Sequence, residues 1–413
     1  MSRAEWQRPR TPRRVRVRRA IGQTRLGYAL KRLLRRRRAA ASPPGPVPAP
    51  TPRSGELRNV LIVSHCDFTG NSALHVYSIA SELPRHGFAP AIAVPEHAAG
   101  VRDLGEPSFP VLTYRDVRRG RLRFPDGRGP DLVHAFTPRE HVRALTLALA
   151  RPYVVHLEDN ESAILTRGAD PQGARAFLGG AAGLTVVIER LLELKPEPVP
   201  AVVAWPGFDE RVLSPLRGRA EVRAALRLAA DDVVLVYNGN VHESNLDEMR
   251  SLYAAVSLLR RDGRRAVLVK TGWNFVPTSR VGALGEALID LGWVAREHVA
   301  ELLGAADVLV QPGAPGPFDD YRFPSKLPEF LASGRPVVLP RTNIGLELRD
   351  GVEALLLQRG DAEEIAEKVA LLAADAELRE AVGARGREFA LRELRWSRTV
   401  GRVVDLYLAA GLA

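Results

Sequence analysis

The sequence predicts an α/β protein made of two doubly wound parallel sheets. Three observations lead there. Short continuous apolar runs recur along the chain, the pattern of strands covered on both faces. Stretches of helical period lie between several of these runs. Clusters of polar residues fall where the runs end, which is the edge at which open parallel sheets hold ligands. With 413 residues, 46% of them hydrophobic, the chain can bury more than one core.

The first run is NVLIVS (59–64), followed by the turn HCDFTGNS and a helix expected over 73–86, with Leu74, Tyr77, Ile79, Ala80 and Leu83 as its apolar positions. Gly87 stops that helix, and APAIAV (89–94) is the next strand. The turn carries Gly70-Asn71-Ser72 but no full dinucleotide fingerprint, so it is not read as an NAD site. VLTY (111–114), DLVHAF (131–136), YVVHL (153–157), LTVVI (184–188) and AVVAW (201–205) continue the series, with a helix expected over 139–150. A second series starts at VVLVYNGN (233–240), passes through a helix over 245–261 and AVLVK (266–270), and reaches DVLVQ (307–311) and PVVL (336–339). LLLQ (355–358), a helix capped by Asp361 and two more helices, the last beginning at Trp396, close the chain.

Candidate site residues sit at the strand ends. His134 closes DLVHAF, and Glu158, Asp159, Asn160 and Glu161 close YVVHL. A carboxylate there can orient or deprotonate a hydroxyl, whereas a core histidine and helix capping are the plainer readings of the two places. Between DVLVQ and PVVL, a proline- and glycine-rich loop leads into a helix of about two turns with Ser325 as its expected N-cap. Arg322, Ser325, Lys326 and Glu329 share that edge, and Asp319-Asp320 precede them as a solvated loop pair. A helix start with two added cations suits a phosphate or pyrophosphate, and Glu329 suits a pair of sugar hydroxyls.

PSKLPEFLASGRPVV (324–338) resembles the donor-binding signature of retaining glycosyltransferases of family 4, which have the GT-B fold. The resemblance covers residues 58–408. It implies two Rossmann-like domains facing across a cleft, with an acceptor domain over 57–208, a nucleotide-sugar domain over 209–390 and a final helix over 391–413 that returns to the first domain. It also implies that Glu329 holds the nucleotide ribose. The family often has a second glutamate eight positions earlier, and here that position is Tyr321. A His-Asp pair common in the family corresponds to Glu158-Asp159. The resemblance brings the Gly239-Asn240 turn to the diphosphate and the main chain at Trp293 and Val294 to the base. The basic pair that usually follows this turn is missing, and Lys270, Arg322 and Lys326 are its available substitutes. The implied reaction is transfer of a sugar from a nucleotide-diphosphate sugar to a sugar or lipid-linked acceptor, retaining and without a metal or other cofactor. A GT-B sugar-nucleotide epimerase and a non-catalytic sugar-nucleotide-binding member stay open beside it.

Charge separates the tail from the body. Residues 1–56 hold 15 Arg and 1 Lys against 2 Glu, a net +14 within a whole-chain +11, which leaves the rest at −3. The body is thus no nucleic-acid binder. Leu26, Leu30, Leu33 and Leu34 lie at helical spacing among the arginines of 13–38, so a basic amphipathic helix on an anionic membrane is one expectation. A disordered basic arm or a start placed too far upstream is the other. Residues 39–54 form a proline-rich linker. No apolar run reaches the roughly 18 residues of a membrane span. The single cysteine, Cys66, excludes an internal disulfide and fits a reducing compartment. These features point to the cytoplasm, with contact at the inner face of the plasma membrane as an addition.

Overall fold

The structure, a computed structural model, describes residues 58–412 except 69–70, 159–164, 166–167, 169 and 318. The basic tail and linker, and Asp159, Asn160 and Glu161, lie outside the described residues. Thirteen strands are present among those described. β1 (Arg58–Val63), β2 (Phe88–Val94), β3 (Val111–Thr113), β4 (Leu132–Phe136), β5 (Tyr153–Leu157), β6 (Gly183–Val186) and β7 (Ala201–Val203) form the first sheet in the order β3-β2-β1-β4-β5-β6-β7. β8 (Val233–Asn238), β9 (Ala266–Thr271), β10 (Leu288–Gly292), β11 (Val308–Val310), β12 (Val337–Pro340) and β13 (Leu355–Leu357) form the second, in the order β10-β9-β8-β11-β12-β13. Every pairing is parallel. Every expected strand is found, because parallel strands covered on both faces announce themselves as unbroken apolar runs.

The strand order reverses once in each sheet, between β1 and β4 and between β8 and β11. Successive crossovers leave such a point on opposite faces, so a crevice opens there outside the carboxyl ends of the two strands.

Contacts divide the chain into two units. The first holds residues 58–206, 321–323 and 396–412 of those described, and the second holds 207–320 and 324–395. The helix Asn71–Glu82 begins and ends earlier than the sequence suggests, and a 3-10 turn, Leu83–His86, completes it. Its buried face is Ala73, Val76, Ile79 and Ala80, continued by Leu83, while Leu74 and Tyr77 are only half-buried. Val76 stands in the core where the sequence suggested Leu74. In the second unit the helix Leu246–Arg261 buries Leu246, Met249, Leu252, Tyr253, Val256 and Leu259 as its period requires. Asp361 caps the helix Ala362–Ala374 by accepting from Glu364 N at 2.8 Å.

The last helix, Trp396–Tyr407, belongs to the first unit and buries Trp396, Val400, Val403, Leu406 and Tyr407 in one cluster with β1 and the helix Asn71–Glu82. Gly183 makes room for it, since a Cβ there would lie 2.8 Å from the Leu406 side chain. No helix among the described residues is long and apolar enough to cross a membrane.

Leu406→Ala therefore costs about 2–5 kcal/mol in urea unfolding, the range for a buried leucine. A loss under about 1 kcal/mol would show that this helix does not complete the first core.

Candidate functional site

The second unit's ligand edge forms where β8 and β11 diverge. β8 ends at Asn238, and the Gly239-Asn240 turn follows. Asn240 Oδ1 accepts from Trp273 N at 2.8 Å, and Asn245 Nδ2 donates to Asn240 O at 2.9 Å and to the Tyr237 hydroxyl at 3.2 Å. The turn after β9 comes hard against this one. Gly272 has φ +86°, and a Cβ there would stand 2.4 Å from Gly239 O. Only glycine permits both the backbone angle and the approach.

Lys326 reaches this turn from the loop before β12. Its ammonium donates to Gln311 Oε1 at 2.8 Å, just past β11, and lies 4.5 Å from the Tyr237 ring centroid. A Cβ on Gly239 would come within 2.9 Å of Lys326 Nζ. Lys326 and Gly239 thus adjoin each other at the point of strand reversal, a cation beside a bare backbone turn. Gln311 and Tyr237 hold that cation, and sequence reasoning missed both. Their signal was positional, since they end or follow the two strands that flank the reversal.

Glu329 lies in the following helix, Leu327–Ala332, and is 3% exposed. The Arg296 guanidinium donates to Glu329 Oε1, and its Nε donates to Asp209 Oδ2 at 3.1 Å. Asp209 also accepts from Arg211 Nε at 2.9 Å. One half-buried guanidinium is thereby shared by two carboxylates. Burial would raise Asp209, yet Arg211 and Arg296 hold it down to about 2. Burial pushes Glu329 up, against the pull of Arg296 and with the repulsion of Asp209. Glu329 Oε2 accepts from no described residue, so the carboxylate keeps acceptor capacity for a ligand hydroxyl. Arg296 was not singled out from the sequence, because the first residue of an ordinary helix carries no motif.

Several expectations change at this edge. The helix begins at Leu327 with Lys326 in the N-cap position and no side-chain cap, so Ser325 is a half-buried loop residue and not the cap. Lys270 has no exposed surface. Its ammonium donates to Thr271 O and Gly272 O at 3.3 Å and pairs with Asp290 at 3.6 Å, so it braces its own turn and does not face a ligand. Burial lowers it. Asp319 and Asp320 are not a solvated pair. Asp319 Oδ2 accepts from Ala314 N at 3.3 Å and Asp320 Oδ1 from the Thr342 hydroxyl at 2.6 Å, which folds the loop. Arg322 and Trp293 are half-buried and Val294 is buried. Tyr321 donates to Glu193 at 2.8 Å within the first unit.

The first unit's polar cluster surrounds Glu158. The Ser72 hydroxyl donates to Oε2, His75 Nδ1 lies 3.2 Å from Oε1, and His65 Nδ1 lies 3.9 Å from Oε2. Burial would raise Glu158, but the hydrogen bond from His75 and the neighbouring imidazoles hold it well below the usual carboxylate range. His134 is corrected to a core residue. It has no exposed surface, and its ring nitrogens meet the Tyr407 hydroxyl at 2.7 Å and the Thr185 hydroxyl at 3.1 Å. Thr137, just past β4, holds φ +68°, a strained angle for a β-branched residue at the ligand edge.

Burial pushes His65 down to about 4 and His156 to about 3. Both are neutral in the fold at neutral pH, whereas in the unfolded chain each takes up a proton near 6.5. The unfolded state binds more protons below that value, so stability falls as pH drops from about 6.5 towards about 4. For His65 the effect is of the order of 3 kcal/mol. Thermal unfolding followed from about pH 7 to about pH 4.5 should fall steeply, and His65→Asn should flatten the slope. An unchanged slope in that variant would contradict the assignment.

Comparison with known proteins adds a family match over part of the chain and a fold. Residues 232–375 match the family described as Glycosyl transferases group 1. A curated relative, the D-inositol 3-phosphate glycosyltransferase of Saccharomonospora viridis, is 30% identical over 235 residues, which are 54% of this chain and 52% of that one. The chain spans about half the length of the curated relative it matches. Among solved structures it is similar to Anabaena Alr3699/HepE in complex with UDP and glucose, with TM-score 0.66, 17% identity and coverage of 84% of this chain and 99% of that one. It is also similar to the sucrose-phosphate synthase of Thermosynechococcus elongatus, with TM-score 0.63, 16% identity and coverage of 85% and 98%. At these identities the likeness shows the fold alone, which is GT-B.

Proposed function

We propose that the chain is a glycosyltransferase that moves a sugar from a nucleotide-diphosphate sugar to an acceptor hydroxyl, with retention of configuration. The observation that carries the reading is the placement of Lys326 beside the Gly239 turn at the β8–β11 reversal, inside the segment that matches Glycosyl transferases group 1. An ammonium next to bare backbone stabilises the charge that grows on a departing diphosphate. Glu329, held by Arg296, accepts the ribose hydroxyl pair. Trp293 and Val294 follow β10 and carry the base through their main chain. The neighbour that holds UDP and glucose makes a uridine nucleotide the first donor to test.

Glu158 belongs to the acceptor side in this reading. It is anionic and fixed by Ser72 and His75, so it orients a hydroxyl. Asp159, outside the described residues, is the companion carboxylate. The acceptor is a sugar or a lipid-linked sugar of the cell envelope, and the basic segment over 13–38 meets an anionic membrane. Lys326 and the backbone turn do the work assigned elsewhere to a metal at the diphosphate.

A thermal-shift screen of nucleotide sugars tests the donor site. One donor should raise the melting temperature of the full chain, and the rise should vanish in Glu329→Ala. No response to any nucleotide would overturn the reading. Release of a free epimerised sugar nucleotide without acceptor would replace the transferase with an epimerase of the same fold.

A further inference from the structure

Glu158 is a buried anion whose ion-pair partners, among the described residues, are histidines only. His65 and His75 face it, and no lysine or arginine pairs with it. A buried carboxylate with no lysine or arginine paired to it is costly unless a cation compensates it. The same cluster leaves three buried nitrogens, His65 Nδ1, His75 Nε2 and His156 Nε2, with no hydrogen-bond partner. Buried polar groups are paired in roughly nine cases of ten, so three around one carboxylate call for an occupant.

We propose that the first unit binds a first-row transition-metal ion, zinc or a zinc-like divalent cation, between His75, His156 and Glu158. One ligand atom from each lies within 4.8 Å of the others, and the residues are 5%, 1% and 7% exposed. Zinc with bonds of about 2.0–2.1 Å sets tetrahedral ligand atoms roughly 3.4 Å apart, so side-chain rotation of about 1 Å closes the set. His65 Nδ1, 3.9 Å from Glu158 and on the one side chain of the cluster with appreciable exposure, supplies the entry and a fourth ligand. Imidazole with carboxylate selects zinc, cobalt or nickel over magnesium or calcium.

The supporting shell fits a metal ligand. His156 Nδ1 lies 2.7 Å from the Thr185 hydroxyl. When that N–H donates to Thr185, Nε2 carries the lone pair that a metal needs. Thr185 is held in turn by His134, and His134 by Tyr407. Ser72 fixes Glu158 from the other side. The ligands come from the helix Asn71–Glu82, from β5 and from the residue after it, so no spacing in the sequence reveals them. The ion sits in the first unit and does not replace Lys326; where it binds, Glu158 serves as its ligand in place of orienting an acceptor hydroxyl, and metal titration reads the site without any transfer assay.

The test uses the full chain, stripped of metal with a chelator and titrated with Zn²⁺ against a chromophoric competitor and with Co²⁺ by visible absorption. One equivalent should bind, Co²⁺ should give the intense bands of tetrahedral coordination, and the melting temperature should rise. His156→Ala and Glu158→Gln should each weaken binding roughly tenfold or more, in line with loss of a metal-site group. His86→Ala, an exposed histidine elsewhere, should leave it unchanged. Far-UV circular dichroism of both cluster variants guards against misfolding, and either folded variant suffices. Absence of stoichiometric binding, which leaves water as the occupant, would overturn the proposal, as would binding that survives both cluster variants.

Discussion

The reversal of strand order between β8 and β11 is the constraint on which the second unit's site depends. It parts the two connections and exposes the carboxyl ends of neighbouring strands. What fills that opening is decided by two glycines. Gly272 lets the turn after β9 press against Gly239, and Gly239 leaves room for the Lys326 ammonium. A side chain at either place would push the backbone or the cation away. The opening is therefore lined by amide backbone and one held charge, which is the environment that a diphosphate needs.

Arg296 adds a second constraint. It is half-buried between two carboxylates, and neither can be discharged without leaving the guanidinium undercompensated. That sharing fixes Glu329 in one orientation while its second oxygen stays an acceptor. Asp209 comes from the segment that opens the second unit, so the same guanidinium ties the start of the unit to its ligand edge. The first unit solves a different problem with different chemistry. Its buried carboxylate is enclosed by imidazoles, whose charge depends on pH, and not by permanent cations.

The fold was legible because parallel strands covered on both faces read as unbroken apolar runs, and all the expected runs became strands. Gly87 marked a helix end correctly, with positive φ. Side-chain partnerships were less legible. Lys270 looked available because its strand ends at the ligand edge, but a fully buried lysine must find its partners nearby, and it finds Asp290 and two carbonyls. His134 looked like a site residue for the same reason, yet β4 lies inside the sheet and its histidine is consumed by Thr185 and Tyr407. The Tyr407 contact joins residues 273 apart, which no local pattern records. Ser325 shows the limit of capping rules, since the helix starts one residue later, with Pro328 in its first turn and no side-chain cap.

The central claim is that Lys326, seated over the Gly239 turn, holds the diphosphate of the donor. Calorimetric titration of the full chain and of Lys326→Met with UDP and, separately, with uridine measures this directly. The substitution should weaken UDP at least about tenfold, the worth of a charge-assisted hydrogen bond, and leave uridine nearly unchanged. Equal losses for both ligands, or none for UDP, would contradict it.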